Sequence, residues 1–206
     1  MICDIKVIIY PEPKFKGVTM KLDDKDRIII SMYAENPNVS QEEIASMIKL
    51  SQPSVAARIK KLKKEGAIET QTGINPLKMG LYMAKVDVST NNPSELLKMF
   101  KNCPYFANGI SISGKNNLCL IFVSENIATL EAIVNGHIRP NESVSDVDFN
   151  IVIKSERDMI VPTSLTSEVL DKPPCGIMIQ CKNCASFKDK NCMGCPAIGQ
   201  YQGWFY

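Results

Sequence analysis

Five of the eight cysteines in this 206-residue chain fall between Cys175 and Cys195, and four of them form two Cys-x-x-Cys pairs, Cys181/Cys184 and Cys192/Cys195. Two intervening residues let both thiolates of a pair face one ion while nearby backbone N–H groups serve the sulfurs. Two such pairs complete a tetrahedron. The spacing therefore predicts a metal site, Zn2+ held by Cys181, Cys184, Cys192 and Cys195, with Cys175 available as an extra ligand. The seven residues between the pairs make a shorter spacer than the common zinc-ribbon gap. Cys195-Pro196 also matches the Cys-Pro ending of iron–sulfur runs, so an iron–sulfur cluster stands as the alternative and free or disulfide-forming thiols as a third reading. A segment of about thirty residues has too little apolar material to fold alone, so bound metal would supply folding energy. Cys3, Cys103 and Cys119 are scattered, which is not how a secreted disulfide framework is laid out. Cys103 and Cys119 read as core residues.

A second chemistry lies in Ser51–Gly66, SQPSVAARIKKLKKEG. Ser51 is placed to cap a helix, Pro53 falls in its first turn and Gly66 supplies the stop. Val55, Ile59 and Leu62 give it an apolar face. From Lys49 to Lys64 there are six basic residues and no acidic one, whereas the whole chain carries a net charge of only +2. Such a field suits a phosphate backbone. Gln52, Ser54, Arg58 and Lys61 are candidates for base-edge or groove contacts, and Lys60, Lys63 and Lys64 for phosphates. A solvated lysine-rich face is the plain alternative. What favours double-stranded DNA as the partner is the company the helix keeps.

That company is a helix over 22–35 with acids in its first turn, a second helix opened by the capping box Ser40–Glu43, a three-residue turn at 49–51, and a β-like run over 67–75. Ile44, Ala45, Met47 and Ile48 are expected as the buried stripe of the second helix. Three helices and a wing strand make a winged helix-turn-helix over 20–75, preceded by an arm at 1–19. Residues 76–155 then alternate strand, helix, strand, strand, helix, strand: 81–90, 93–101, 107–113, 118–124, 127–136 and 144–154. This βαββαβ order predicts a ferredoxin-like domain whose sheet has one face under two helices and the other bare, awaiting a dimer partner. Over 75–153 six basic residues meet seven acidic ones, so nucleic acid is a partner of the first domain only. Residues 156–174 read as a partly extended linker, and 175–206 as a separate, small four-cysteine metal knuckle ending in the aromatic-rich GQYQGWFY. The fold class is thus α+β in three parts.

With 45% hydrophobic residues the chain can build real cores, and its apolar runs are too short to span a bilayer. A cytoplasmic location and no membrane partner are expected. The single histidine, His137, falls at a helix end before Arg139-Pro140, where it would complement the helix C-terminus. There is no Ser/His/Asp set, no Walker-type loop and no GxGxxG. Nothing in the chain argues for an enzyme.

The motifs together resemble the Lrp/AsnC (feast/famine) family of bacterial and archaeal transcription regulators over residues 20–154. The family's opening Leu-Asp-x-x-Asp-Arg falls on Leu22, Asp23, Asp26 and Arg27. Its Ser-x-x-x-Val-x-x-Arg-Ile-x-x-Leu helix falls on Ser51, Val55, Arg58, Ile59 and Leu62, and its Gly-x-Ile run on Gly66 and Ile68. The resemblance implies a sequence-specific regulator, dimers joined through their sheets and often built into larger oligomers, and palindromic operators. It also implies a small-molecule effector site at the turn containing Ser113, Gly114, Asn116 and Asn117. There the family's usual Gly-x-x-Asp is replaced by Gly114-Lys115-Asn116-Asn117, and the cysteine-rich tail is an addition to the family plan. Metal or redox state is therefore expected as the signal in place of an amino acid. Siroheme decarboxylases of related fold are a distant alternative, which would require tetrapyrrole binding in a chain with one histidine.

Overall fold

The computed structural model describes residues 20–163, 165, 169–176 and 181–206; the expected arm at 1–19 lies outside them. The chain divides into two compact units, Met1–Thr70 and Gln71–Tyr206.

In the first unit, α1 (Asp24–Glu35) begins at a capping box in which the Asp23 carboxylate accepts from the Asp26 amide. Acids in its first turn suit the positive end of the helix dipole. The second helix, α2 (Gln41–Ile48), begins at the predicted box, with Ser40 Oγ accepting from the Glu43 amide and Glu43 Oε2 from the Ser40 amide. Lys49, in the left-handed region at φ 54°, turns the chain into α3 (Gln52–Lys64). Ile29, Ile44, Ile48, Val55, Ile59, Leu62 and Ile68 form the core.

Three local expectations change in this unit. Met47 is 64% exposed, because it sits at the edge of the stripe, beside Ile44 but about 160° round the helix from Ala45. Ser51 occupies the cap position of α3 without a side-chain capping bond; its Oγ lies 2.8 Å from Ser54 Oγ. The run 67–75 forms no wing strand. Gly66, at φ 73°, lets the Ala67 amide return to the Leu62 carbonyl, and Ile68 drops into the core. Its period-two pattern is satisfied without a strand; Ile74, which already belongs to the second unit, bridges Val161 of that same unit.

The second unit is a four-stranded antiparallel sheet in the order β2-β3-β1-β4, with β1 Tyr82–Thr90, β2 Phe106–Ser111, β3 Leu118–Ser124 and β4 Val144–Ile151. Two helices complete the βαββαβ order. The first, α4 (Pro93–Phe100), is capped by Asn92; α5 (Ile127–Ile133), capped by Asn126, runs on into a π turn at Val134–Ile138. Ala84, Val86, Val88, Leu118, Leu120 and Phe122 pack against Leu96, Phe100, Leu130, Ile133 and Ile138.

The opposite sheet face differs from the bare apolar surface expected. Leu81, Met83, Ile121 and Val123 at one end are covered by Val161 and Phe205 of the same chain. Towards the other end the face is polar, with the Lys85–Asp87 ion pair and Asp148 opposite Asp87 in register. The covering segment was expected to be linker. Instead, the Ile74 and Val161 amides and carbonyls pair, and Asp158 accepts from Asn75 and Lys78. Gly73 allows this approach, since a Cβ there would lie 2.2 Å from the Val161 carbonyl oxygen. Among the described residues, no helix is long and apolar enough to cross a membrane.

Candidate functional site

Two regions carry the chemistry. On α3, Val55, Ile59 and Leu62 are buried, so the opposite face is free: Ser54, Ala57, Lys61 and Lys64 form one exposed row, flanked by Lys60. Gln52 is exposed at the start of the helix. No acid lies within α3, and its last turn holds Lys61, Lys63 and Lys64. Lys63 Nζ sits 5.6 Å from the centre of the Tyr33 ring, a cation–π placement that turns it towards α1.

Arg58 has partners inside the unit as well. Its guanidinium lies 2.7 Å from both Asp23 Oδ2 and Asp26 Oδ1, tying the middle of α3 to the first turn of α1. Asp26 is 5% exposed, so this cation answers a buried carboxylate. The two aspartates raise the Arg58 pKa, and Asp23 is lowered by the Asp26 amide and then by Arg58. Nη1 thus clamps α3 to α1, while about a third of the Arg58 side chain stays exposed.

The turn expected to bind an effector is woven into the sheet. Asn117 accepts from the Thr90 amide and donates to the Thr90 carbonyl, at 3.0 and 2.7 Å. Asn116 accepts from Ser89 Oγ and donates to Asp148. Ser113 and Gly114 are exposed. The polar atoms of Asn116 and Asn117 are thus engaged in holding the β2–β3 turn.

The second region is the tail, which folds onto the sheet domain rather than standing apart. Tyr105 Oη donates to the Gly194 carbonyl at 2.5 Å, and the Met193 amide to Thr129 Oγ1 at 2.9 Å. Glu125 accepts from the Tyr201 hydroxyl and the Trp204 amide, and Tyr206 Oη donates to the Val123 carbonyl. Gly194 is required here: at φ 86° its missing Cβ would lie 1.8 Å from the Gln200 carbonyl oxygen.

This docking forms a partly open cavity of about 270 Å³ lined by Cys103, Cys175, Cys181, Cys184, Cys192 and Cys195, together with Tyr105 and His137. All six cysteines are free thiols. Burial raises the Cys181 and Cys192 thiols, takes Cys195 to about 11 and Cys103 to about 12, and neighbouring thiols add to each rise. Backbone amides oppose it, the Gly194 N–H lying 3.4 Å from Cys192 Sγ. Among the described residues, no three His, Cys, Asp or Glu side chains are gathered closely enough to hold one metal ion.

Sequence reasoning missed two members of this wall. Cys103, read as core, is brought to the cavity by the α4–β2 connection. His137, read as a charged helix-end residue, is pushed towards neutrality by burial, and the Ile133 carbonyl only partly opposes this. Its Nδ1 is buried with no hydrogen-bond partner of normal geometry among the described residues. No local signal marked either residue, since only tail docking places them together.

A helix-turn-helix followed by a four-stranded α+β sheet domain defines the class of protein. Residues 22–69 match the family model described as winged helix-turn-helix DNA-binding. The chain is 25% identical over 146 residues to an uncharacterised HTH-type transcriptional regulator of Pyrococcus abyssi, covering 68% of this chain and 99% of that protein. LrpA of Pyrococcus abyssi is 28% identical over 86 residues, 41% of this chain and 61% of LrpA. The E. coli AsnC structure has a TM-score of 0.59 at 17% identity, covering 69% of this chain and 99% of that one. The fold is that of Lrp/AsnC-type proteins.

Proposed function

We propose that this chain is a sequence-specific DNA-binding transcriptional regulator of the Lrp/AsnC type, working as a homodimer or higher oligomer. The observation that carries the reading is the exposed, acid-free face of α3, with Ser54, Lys61 and Lys64 in one row on a helix-turn-helix. Lys60, Lys61 and Lys64 serve phosphates or groove edges, while Gln52 and Ser54 are the uncharged candidates for base edges. A helix of this length reads few base pairs, so useful specificity needs two copies on a palindromic site. In this reading the signal comes from a metal centre at the tail cysteines in place of an amino acid at the Ser113–Asn117 turn, where Asn116 and Asn117 are already bonded within the sheet domain. No catalytic role is assigned.

The test is selection of bound fragments from random double-stranded DNA, followed by affinity measurement across salt. Lys61→Ala and Lys64→Ala should each weaken binding and reduce the salt slope by about one unit. A wild-type chain that enriches no sequence and binds no duplex at low salt would overturn the reading.

A metal- or redox-responsive regulator is the second reading, favoured by the cysteine-lined cavity. It adds an input to the same DNA-binding output.

A further inference from the structure

We propose that the cysteine-lined cavity is the seat of a polynuclear iron–sulfur cluster, not of a single zinc ion, and that the cluster clasps the tail to the sheet domain. The inference deepens the metal-centre part of the reading above and is independent of DNA binding.

Donor number and room both point this way. Tetrahedral zinc takes four ligands at about 2.3 Å and closes its site around one point. Here five tail cysteines and Cys103 line about 270 Å³, more donors than the four that one zinc takes and more room than one ion fills. A cluster is a body of several atoms, and its thiolate ligands stand apart around it. The walls suit such a body. Ile133, Phe187 and Pro174 are apolar, and an amide N–H faces Cys192 Sγ, the kind of outer contact that stabilises ligating sulfur.

The knuckle pairs Cys181/Cys184 and Cys192/Cys195 supply four thiolates, whose protons pass to solvent on binding. Cys175 is the fifth donor in the wall. His137, on α5's π turn, brings a buried Nδ1 that lacks a partner of normal geometry among the described residues. It belongs to the sheet domain while the thiolates belong to the tail, so an occupied cavity joins the two.

The experiment uses the full-length reduced protein under anaerobic conditions. It is offered equal amounts of ferrous and ferric iron with sulfide, which meet the formal charges of a two-iron or four-iron core without another oxidant. A parallel sample receives zinc alone. The expected result is about two to four irons per chain with matching acid-labile sulfide and a visible charge-transfer absorption. Hydrogen exchange across 192–206 should slow on loading. Cys184→Ser should lose cluster and exchange protection, whereas Cys119→Ser, on the far face of the sheet, should load as wild type. One zinc with no iron or sulfide, no stoichiometric uptake at all, or loss of loading in Cys119→Ser with Cys184→Ser unaffected would each overturn the proposal. The wild-type stoichiometry decides between cluster and zinc even if a variant fails to fold.

Discussion

Replacing Tyr105 by phenylalanine isolates the bond that anchors the cysteine loop. Tyr105 is 4% exposed, its ring packs edge-on against Tyr206 at 5.2 Å, and its hydroxyl donates to the Gly194 carbonyl at 2.5 Å. Phenylalanine keeps the ring and removes only the donor. The Gly194 carbonyl is then left buried and unanswered, which costs about 1–3 kcal/mol. Taking 2 kcal/mol as a rough middle value, the melting temperature of the sheet-domain unit should fall by about 6 °C. Hydrogen exchange over Met193–Gln202 should quicken first, because those amides depend on the docked loop. A pH signature accompanies this. Burial raises the Tyr105 pKa above the ordinary tyrosine value of about 10, so above that pH the unfolded chain loses a proton that the folded chain keeps. Wild-type stability must fall as pH rises through that window, and Tyr105→Phe must lose that component. Thermal unfolding from pH 7 upward, with exchange mass spectrometry, measures both. Unchanged melting together with unchanged protection over 193–202 would refute the anchoring role.

Two other substitutions probe what positions each site. Arg58→Met keeps the stem of the side chain and removes the charge from above Asp26. With 32% of the Arg58 side chain in solvent, the cost is discounted from a fully buried pair to about 1–2 kcal/mol. Chemical denaturation of the variant reads this, and an undiminished midpoint would show that the clamp does not hold α3. In wild type, the lowered Asp23 pKa stabilises above the ordinary aspartate range and is lost on acidification through the folded value, so the variant should show a smaller acid loss. Gly194→Ala forces a Cβ to φ 86° and 1.8 Å from the Gln200 carbonyl oxygen, so the loop must open. The Met193 amide should lose its exchange protection, and native-like protection there would contradict the close approach.

Much of the first unit could be read from the chain because its determinants are local. Helix caps, turn residues and a three-and-four-residue apolar repeat act within a few positions, and Ser40 and Gly66 stand where those rules put them, while Asp23, read as a first-turn acid, is the cap of α1. The βαββαβ order was legible for the same reason, through the alternation of strand and helix segments; the structure adds the caps at Asn92 and Asn126. The Cys-x-x-Cys pairs likewise announced sulfur chemistry by spacing alone.

Contacts between distant residues decided the rest. Arg58 has the pattern of a groove-reading side chain, yet its partners lie more than thirty positions earlier, and a buried Asp26 outcompetes solvent for the guanidinium. Residues 156–163 look like linker because nothing local holds them; Ile74 and Asn75, some eighty residues away, do. Composition set the thiols in the tail, but only tertiary packing made them a cavity and added Cys103 and His137 to its wall. Periodicity and caps are properties of a segment, whereas burial, ion pairing and enclosure belong to the folded surface that segments make together.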